Sequence, residues 1–242
     1  MASRAKAKAS HQVGKLIAFV ERELQQRANP RNAVAMAAYM KTSMPFYGVP
    51  KPAREVIARE LKQRFPIANR KDYERAVLGL WNLPHREEKY FAIDVARMWR
   101  DFIVPESMPL YRRLIEEGAW WDTVDEVAAH LVGAVLLANR KQIAPMMDRW
   151  IDDTDMWIRR AAIISQLKHK DKSDHVRLFR YSLARADEKE FFIRKAIGWA
   201  LRQYAYSAPE RVRDFITRNR AKLSPLTYRE AARVLIKQGV MV

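Results

Sequence analysis

The chain has 242 residues, 49% apolar and 30% charged, and its 45 Lys and Arg outnumber 28 Asp and Glu to give a formal net charge of +17. The absence of cysteine excludes disulfides and Cys-ligated metal or iron–sulfur centres. The five histidines (11, 85, 130, 169, 175) form no HxxxH or HxH pair, and no apolar run approaches the length of about 18 residues that a membrane span needs. Such a cationic excess favours a polyanionic partner, nucleic acid first, over a merely soluble basic protein or one that touches anionic lipid.

Residues 1–11 are basic and Ala-rich without an apolar segment. They read as a mobile basic tail rather than a secretory signal, ahead of a single domain over 12–242. Beyond them, apolar residues recur at spacings of three and four. Leu16, Ile17, Phe19, Val20 and Leu24 form one stripe, and Val56, Ile57, Leu61 and Phe65 another. Glycines number only seven and no Asn-Gly or Asp-Gly pair occurs, so hairpins have little support. Pro30, Pro52, Pro84, Pro105, Pro209 and Pro225 fall where helices should begin or be joined. The class predicted is all-α, with about a dozen helices of roughly 10–18 residues.

From residue 86 the chain repeats. The stretches REEKYFAID (86), WDTVDEVAA (121), MWIRRAAII (156), FFIRKAIGW (191) and LTYREAARV (226) align without a gap at 35-residue intervals. A helix-pair unit of this size fits a HEAT-like repeat, so the fold expected is an α-α superhelix: a curved solenoid with a concave basic groove, capped by less regular helices from 12–82. Tyr90, Asp125, Arg160, Lys195 and Glu230 share one column. If that column lines the groove, Arg160 and Lys195 form a basic strip flanked by Arg159, Arg194 and Arg202, with Asp125 as an acidic exception. Ordinary solvated helix charges would give the same pattern.

The exception lies in GAWWDTVDEV, residues 118–127. Trp120 reads as core, and Trp121 as core or site wall. Asp122 suits a helix start, and Asp125 follows one turn later. Both acids are explicable by the helix dipole alone. A carboxylate in a phosphate-facing groove nevertheless weakens affinity, and it gains a purpose if positive charge develops in the substrate. Scission of an N-glycosidic bond makes the sugar oxocarbenium-like, and a fixed carboxylate stabilises that cation and holds the attacking water. Aromatic faces add roughly 0.5–2 kcal/mol each. Trp199, in IRKAIGWALRQY, is a second candidate wall.

At these residues the sequence resembles the AlkD-type DNA alkylation-repair glycosylases, which are built from HEAT-like repeats. AAYMKTSMPFYGVPKPAREVI, LWNLPHREEKYFAID, GAWWDTVDEVAAHLVG, WIRRAAIISQLKHK, EFFIRKAIGWALRQYAYSAPERV and LSPLTYREAARVL resemble the family's segments in order, covering about residues 30–236. The WWDTVD and FFIRKAIGWALR segments are the specific ones. The resemblance implies hydrolysis of the bond between deoxyribose and positively charged alkylated purines, chiefly 7-alkylguanine and 3-alkyladenine. It places the catalytic aspartate at Asp125, groove tryptophans at Trp121 and Trp199, a groove tyrosine at Tyr39 and a phosphate-contacting arginine at Arg160. Lys168, Lys195 and Arg202 are expected to grip further phosphates. PFYGV departs from the family's more apolar wall near Tyr39, and the last repeat is shorter.

The expected partner is double-stranded DNA carrying alkylated bases. No cofactor, metal or membrane is expected. The protein should be a cytoplasmic monomer, nucleoid-associated if bacterial, acting in base excision repair without lyase activity. The alternatives are a non-catalytic HEAT-like nucleic-acid-binding scaffold, which needs no acid beside the tryptophans, and a protein–protein adaptor, which needs no such charge.

Overall fold

Helices begin where the local chemistry can satisfy their first amide groups. The computed structural model describes the backbone of residues 2–241 and the side chains of 12–241. Asn29, Asn69, Asp155, Asp174 and Ser224 each accept a backbone N–H at a helix start. Pro30, Pro209 and Pro225 occupy first helical positions, where the missing N–H costs nothing. No strand occurs among the described residues, and the all-α repeat class expected from the sequence is the one adopted. The mobile-tail expectation falls on residues 1–11, whose side chains lie outside the description.

The chain packs as two compact units, Met1–Ile103 and Val104–Val242. The first contains α1 (Ala2–Gln26), α2 (Pro30–Met40), α3 (Lys51–Arg64), α4 (Arg70–Trp81) and α5 (Arg86–Met98). Its core packs Leu16, Val20 and Leu24 of α1 with Ile57 and Leu61 of α3, Tyr73 and Val77 of α4 and Phe91 of α5. Each such side chain contributes roughly 1.5–3 kcal/mol by leaving water. Val56 is 47% exposed, because the buried face of α3 runs through Ile57, Ala58 and Leu61 instead.

A buried carboxylate shapes the loop after α2. Glu87 accepts the backbone N–H groups of Tyr47 (3.0 Å), Gly48 (2.8 Å) and Val49 (3.0 Å). Gly48 has φ +83°, and a Cβ there would fall 2.1 Å from the Asn29 carbonyl oxygen. The PFYGV segment is therefore fixed by one acid some 40 residues away.

The second unit contains α6 (Met108–Gly118), α7 (Trp121–Val127), α8 (Gly133–Ala138), α9 (Arg140–Trp150), α10 (Met156–Ile164), α11 (His175–Ala184), α12 (Phe191–Ala205), α13 (Pro209–Arg218) and α14 (Pro225–Lys237). With α5, the helices α7, α10, α12 and α14 start at 86, 121, 156, 191 and 225, so the 35-residue period read from the sequence is, to within one residue at the last step, a period of helix starts. In the second unit α10 packs on α7 and α12, and α12 on α14, while α9, α11 and α13 pack against members of that series. Residues 35 apart are thereby brought side by side. No described helix is long and apolar enough to cross a membrane.

Candidate active site

The chain enters α7 through a sharp corner. Ala119 is left-handed (φ 37°) and Trp120 extended, and the Thr123 hydroxyl donates to the Trp120 carbonyl (3.0 Å). The helix starts at Trp121, so Asp122 lies in its first turn, where the dipole favours it. Trp120 is half-buried. Its ring packs on Trp157 of α10 (centroids 6.1 Å) and edge-on to Phe192 of α12 (5.4 Å), and those two meet at 4.9 Å. The core role expected of Trp120 is thus shared with two aromatics that the sequence reading passed over. Trp121 is half-buried and lies one turn before Asp125 on α7.

Asp125 projects toward α10, where Arg160 grips it with two parallel bonds, Nε to Oδ1 at 2.8 Å and Nη2 to Oδ2 at 2.7 Å. Burial pushes the Asp125 carboxyl above the usual carboxylate range, while Arg160 pulls it back. The carboxylate is 15% exposed. That fraction decides its chemistry, since each oxygen keeps a lone-pair direction that Arg160 does not use. Arg160, expected to grip a phosphate, is instead 3% exposed. Its Nη1 donates to the Phe192 carbonyl at the start of α12, and its guanidinium lies 5.8 Å from the Phe192 ring. One arginine therefore ties three successive helices of the series together around Asp125.

A local irregularity follows Asp125. The segment Ala128–Val132 winds as a π turn, with the Gly133 N–H reaching back five residues to the Ala128 carbonyl. Gly133 then passes so close to α10's end that a Cβ would lie 2.3 Å from the Ser165 carbonyl oxygen. His169 is buried and its Nε2 donates to the Gly133 carbonyl (2.8 Å), which requires the Nε2–H tautomer; its Nδ1 has no partner among the described residues. Burial holds the His169 imidazole below its usual range.

The remaining expected cations are arranged differently from a free strip. Lys195 donates to Glu230 (2.7 Å), and Arg202 donates to the other oxygen of the same carboxylate. Glu230 is 8% exposed, and Lys195 holds its carboxyl below the usual range, although burial opposes this. Arg159 makes a bidentate pair with Glu188 (2.9 Å twice), and Arg194 donates to the Glu188 carbonyl. The polar column thus pairs off between neighbours, Asp125 with Arg160 and Lys195 with Glu230, rather than standing as solvated charges. Opposite signs at adjacent column positions were the signal in the sequence. Lys168 is exposed in the turn after α10 and has no ion-pair partner among the described residues. Trp199 is half-buried on α12, with no ring contact among the described residues. Tyr39 belongs to the first unit, exposed in the last turn of α2. Among the described residues no group of three or more His, Asp or Glu could hold a metal ion.

The family model for DNA alkylation repair enzymes matches residues 20–235. A solved structure described as a predicted DNA alkylation repair enzyme from Enterococcus faecalis superposes with a TM-score of 0.80 at 29% identity, covering 87% of this chain and 97% of that one. No match is found among curated proteins. With the family model spanning nearly the whole chain, the protein belongs to the DNA alkylation repair enzyme family.

Proposed function

We propose that this protein is a monofunctional DNA glycosylase, hydrolysing the N-glycosidic bond of positively charged alkylated purines, 7-alkylguanine and 3-alkyladenine, in double-stranded DNA. The observation that carries the reading is Asp125: a carboxylate held bidentate by Arg160, 15% open to solvent, one turn from Trp121. A structural ion pair alone gains nothing from that opening.

In the proposed step the bond from C1′ to the purine nitrogen breaks, and its electron pair neutralises the cationic base. No general acid is required, because the leaving group departs neutral. The sugar is left oxocarbenium-like. Asp125 faces it as an anion and orients a water, which adds to C1′ and gives its proton to the carboxylate and then to solvent. A carboxylate about 4 Å from a unit cation, at an effective dielectric near 20, contributes about 4 kcal/mol, or roughly a thousandfold in rate. Arg160 serves as counter-ion and keeps the buried acid ionised. Trp121 and Trp199 pack against the deoxyribose, and Tyr39, on the first unit, contacts the DNA. Lys168, Lys195 and Arg202 face the phosphates. The chemistry calls for neither cofactor nor metal, and the protein acts as a monomer in base excision repair.

The runner-up is a non-catalytic duplex-binding scaffold, favoured by the fact that Arg160 already satisfies Asp125. Incubation with duplex containing 7-methylguanine separates the two. Release of the free base by the wild type, and about a thousandfold slower release by Asp125→Asn, supports the glycosylase. Equal release by both proteins, or none by the wild type, refutes it.

A further inference from the structure

On α12, Lys195, Gly198, Trp199 and Arg202 follow one another at spacings that put all four on a single helix face. Lys195 and Arg202 lie seven residues apart, about 10 Å along the axis, with the indole between them. Both are tied to one carboxylate from the next helix of the series, Glu230 of α14. Gly198 makes this reach possible: a Cβ there would lie 2.6 Å from Glu230 Cβ and 2.9 Å from the Thr227 carbonyl oxygen, so no other residue lets α14 come so near. The acid is buried beneath its partners, at 8% exposure against 38% for Lys195 and 22% for Arg202. The cations consequently keep outward N–H groups while their positions are fixed from behind. Arg233, a third cation, lies 3.8 Å away.

We infer that Glu230 is a positioning residue that frames Trp199, pinning one cation on either side of the indole so that a sugar–phosphate backbone is seated with a sugar at the ring. The inference rests on the glycosylase reading and assigns Glu230 two effects of opposite sign. It places a negative charge under a DNA-facing surface, which weakens general binding. It also holds Lys195 and Arg202 where the sugar beside Trp199 is aligned for scission, which raises the rate. A residue that merely supports the fold raises or lowers both together.

The test is Glu230→Gln, read by binding to undamaged duplex across a salt series and by single-turnover release of 7-methylguanine from methylated duplex. Expected are several-fold tighter binding, a log–log salt slope steeper by about one unit, and roughly tenfold slower release. In a Lys195→Met, Arg202→Met background the same change should have no effect on release. Release at the wild-type rate, or binding and release that fall together, overturns the inference. If Glu230→Gln does not fold, Glu230→Asp takes its place. It keeps the charge but spans one cation at a time, so the salt slope should stay at the wild-type value while release slows, and unaltered release overturns the inference equally. A wild type that releases no base defeats the glycosylase reading instead, and the binding arm still decides whether Glu230 restrains the two cations.

Discussion

At the scale of single residues, the decisive feature is how Asp125 is kept charged. Burial raises its carboxyl and Arg160 lowers it. The carboxylate form is the useful one, so activity is present above the folded pKa and is lost as pH falls through it. Because burial is the larger cause, the acid limb of the release rate should lie above the ordinary aspartate range near pH 4. Replacing Arg160 with Gln removes the lowering influence, so the limb should move to higher pH, with slower release at neutrality. A pH profile under single-turnover conditions checks this, and a limb that stays in place removes Arg160 from the role of counter-ion. In the sequence, motif and column both point to Asp125 and Arg160, and the motif alone points to Trp121. The sequence did not show that the column pairs off: spacing gives the neighbour but not the rotamer, and Arg160 could be read as facing a phosphate as easily as facing Asp125.

At the scale of elements, helix starts were readable because they rest on local chemistry, Pro30, Pro209 and Pro225 together with the Asn and Asp caps. The π turn after Asp125 was not, since it depends on how closely Gly133 approaches Ser165, 32 residues on. Two outcomes test its support. Gly133→Ala places a methyl against a backbone carbonyl that cannot swing aside, so unfolding by urea should show a loss of about 1–3 kcal/mol and base release should slow with it. His169 is buried with its pKa lowered, so its proton is taken up preferentially by the unfolded chain. Its contribution to stability is complete above the unfolded value near 6.5 and is lost as pH falls below that value toward the folded one. His169→Gln keeps an N–H for the Gly133 carbonyl and removes the titration. The stability difference between pH 7.5 and pH 5 should therefore be smaller in the variant than in the wild type, and an equal difference would mean that folding leaves the His169 pKa where it is in the unfolded chain.

At the scale of the whole molecule, the sequence conveyed the sign of the charge and the 35-residue period, but not how much of that charge is free. The period was legible because every unit from α5 on repeats the same helix start. The loop at 47–49 was not legible, because it is held by Glu87, a contact that no local pattern announces. Many of the 45 cations are spent on internal pairs, including Arg159 with Glu188 and Arg177 with Asp148 and Asp174. A net charge of +17 therefore overstates the number of phosphates the protein neutralises. The salt dependence of duplex binding measures that number directly, since each phosphate contact contributes about −0.9 to the slope of log K against log salt. Lys168 is exposed and carries no ion-pair partner among the described residues, so Lys168→Ala should flatten the slope by about one unit and weaken damaged and undamaged duplex alike. Arg160, 3% exposed and bound to Asp125 and Phe192, should lower the release rate when replaced by Ala yet leave the slope within half a unit of wild type. If the slope instead drops by one for Arg160 and stays put for Lys168, the phosphate contact belongs to the buried arginine, and the Asp125 pair must open when DNA binds.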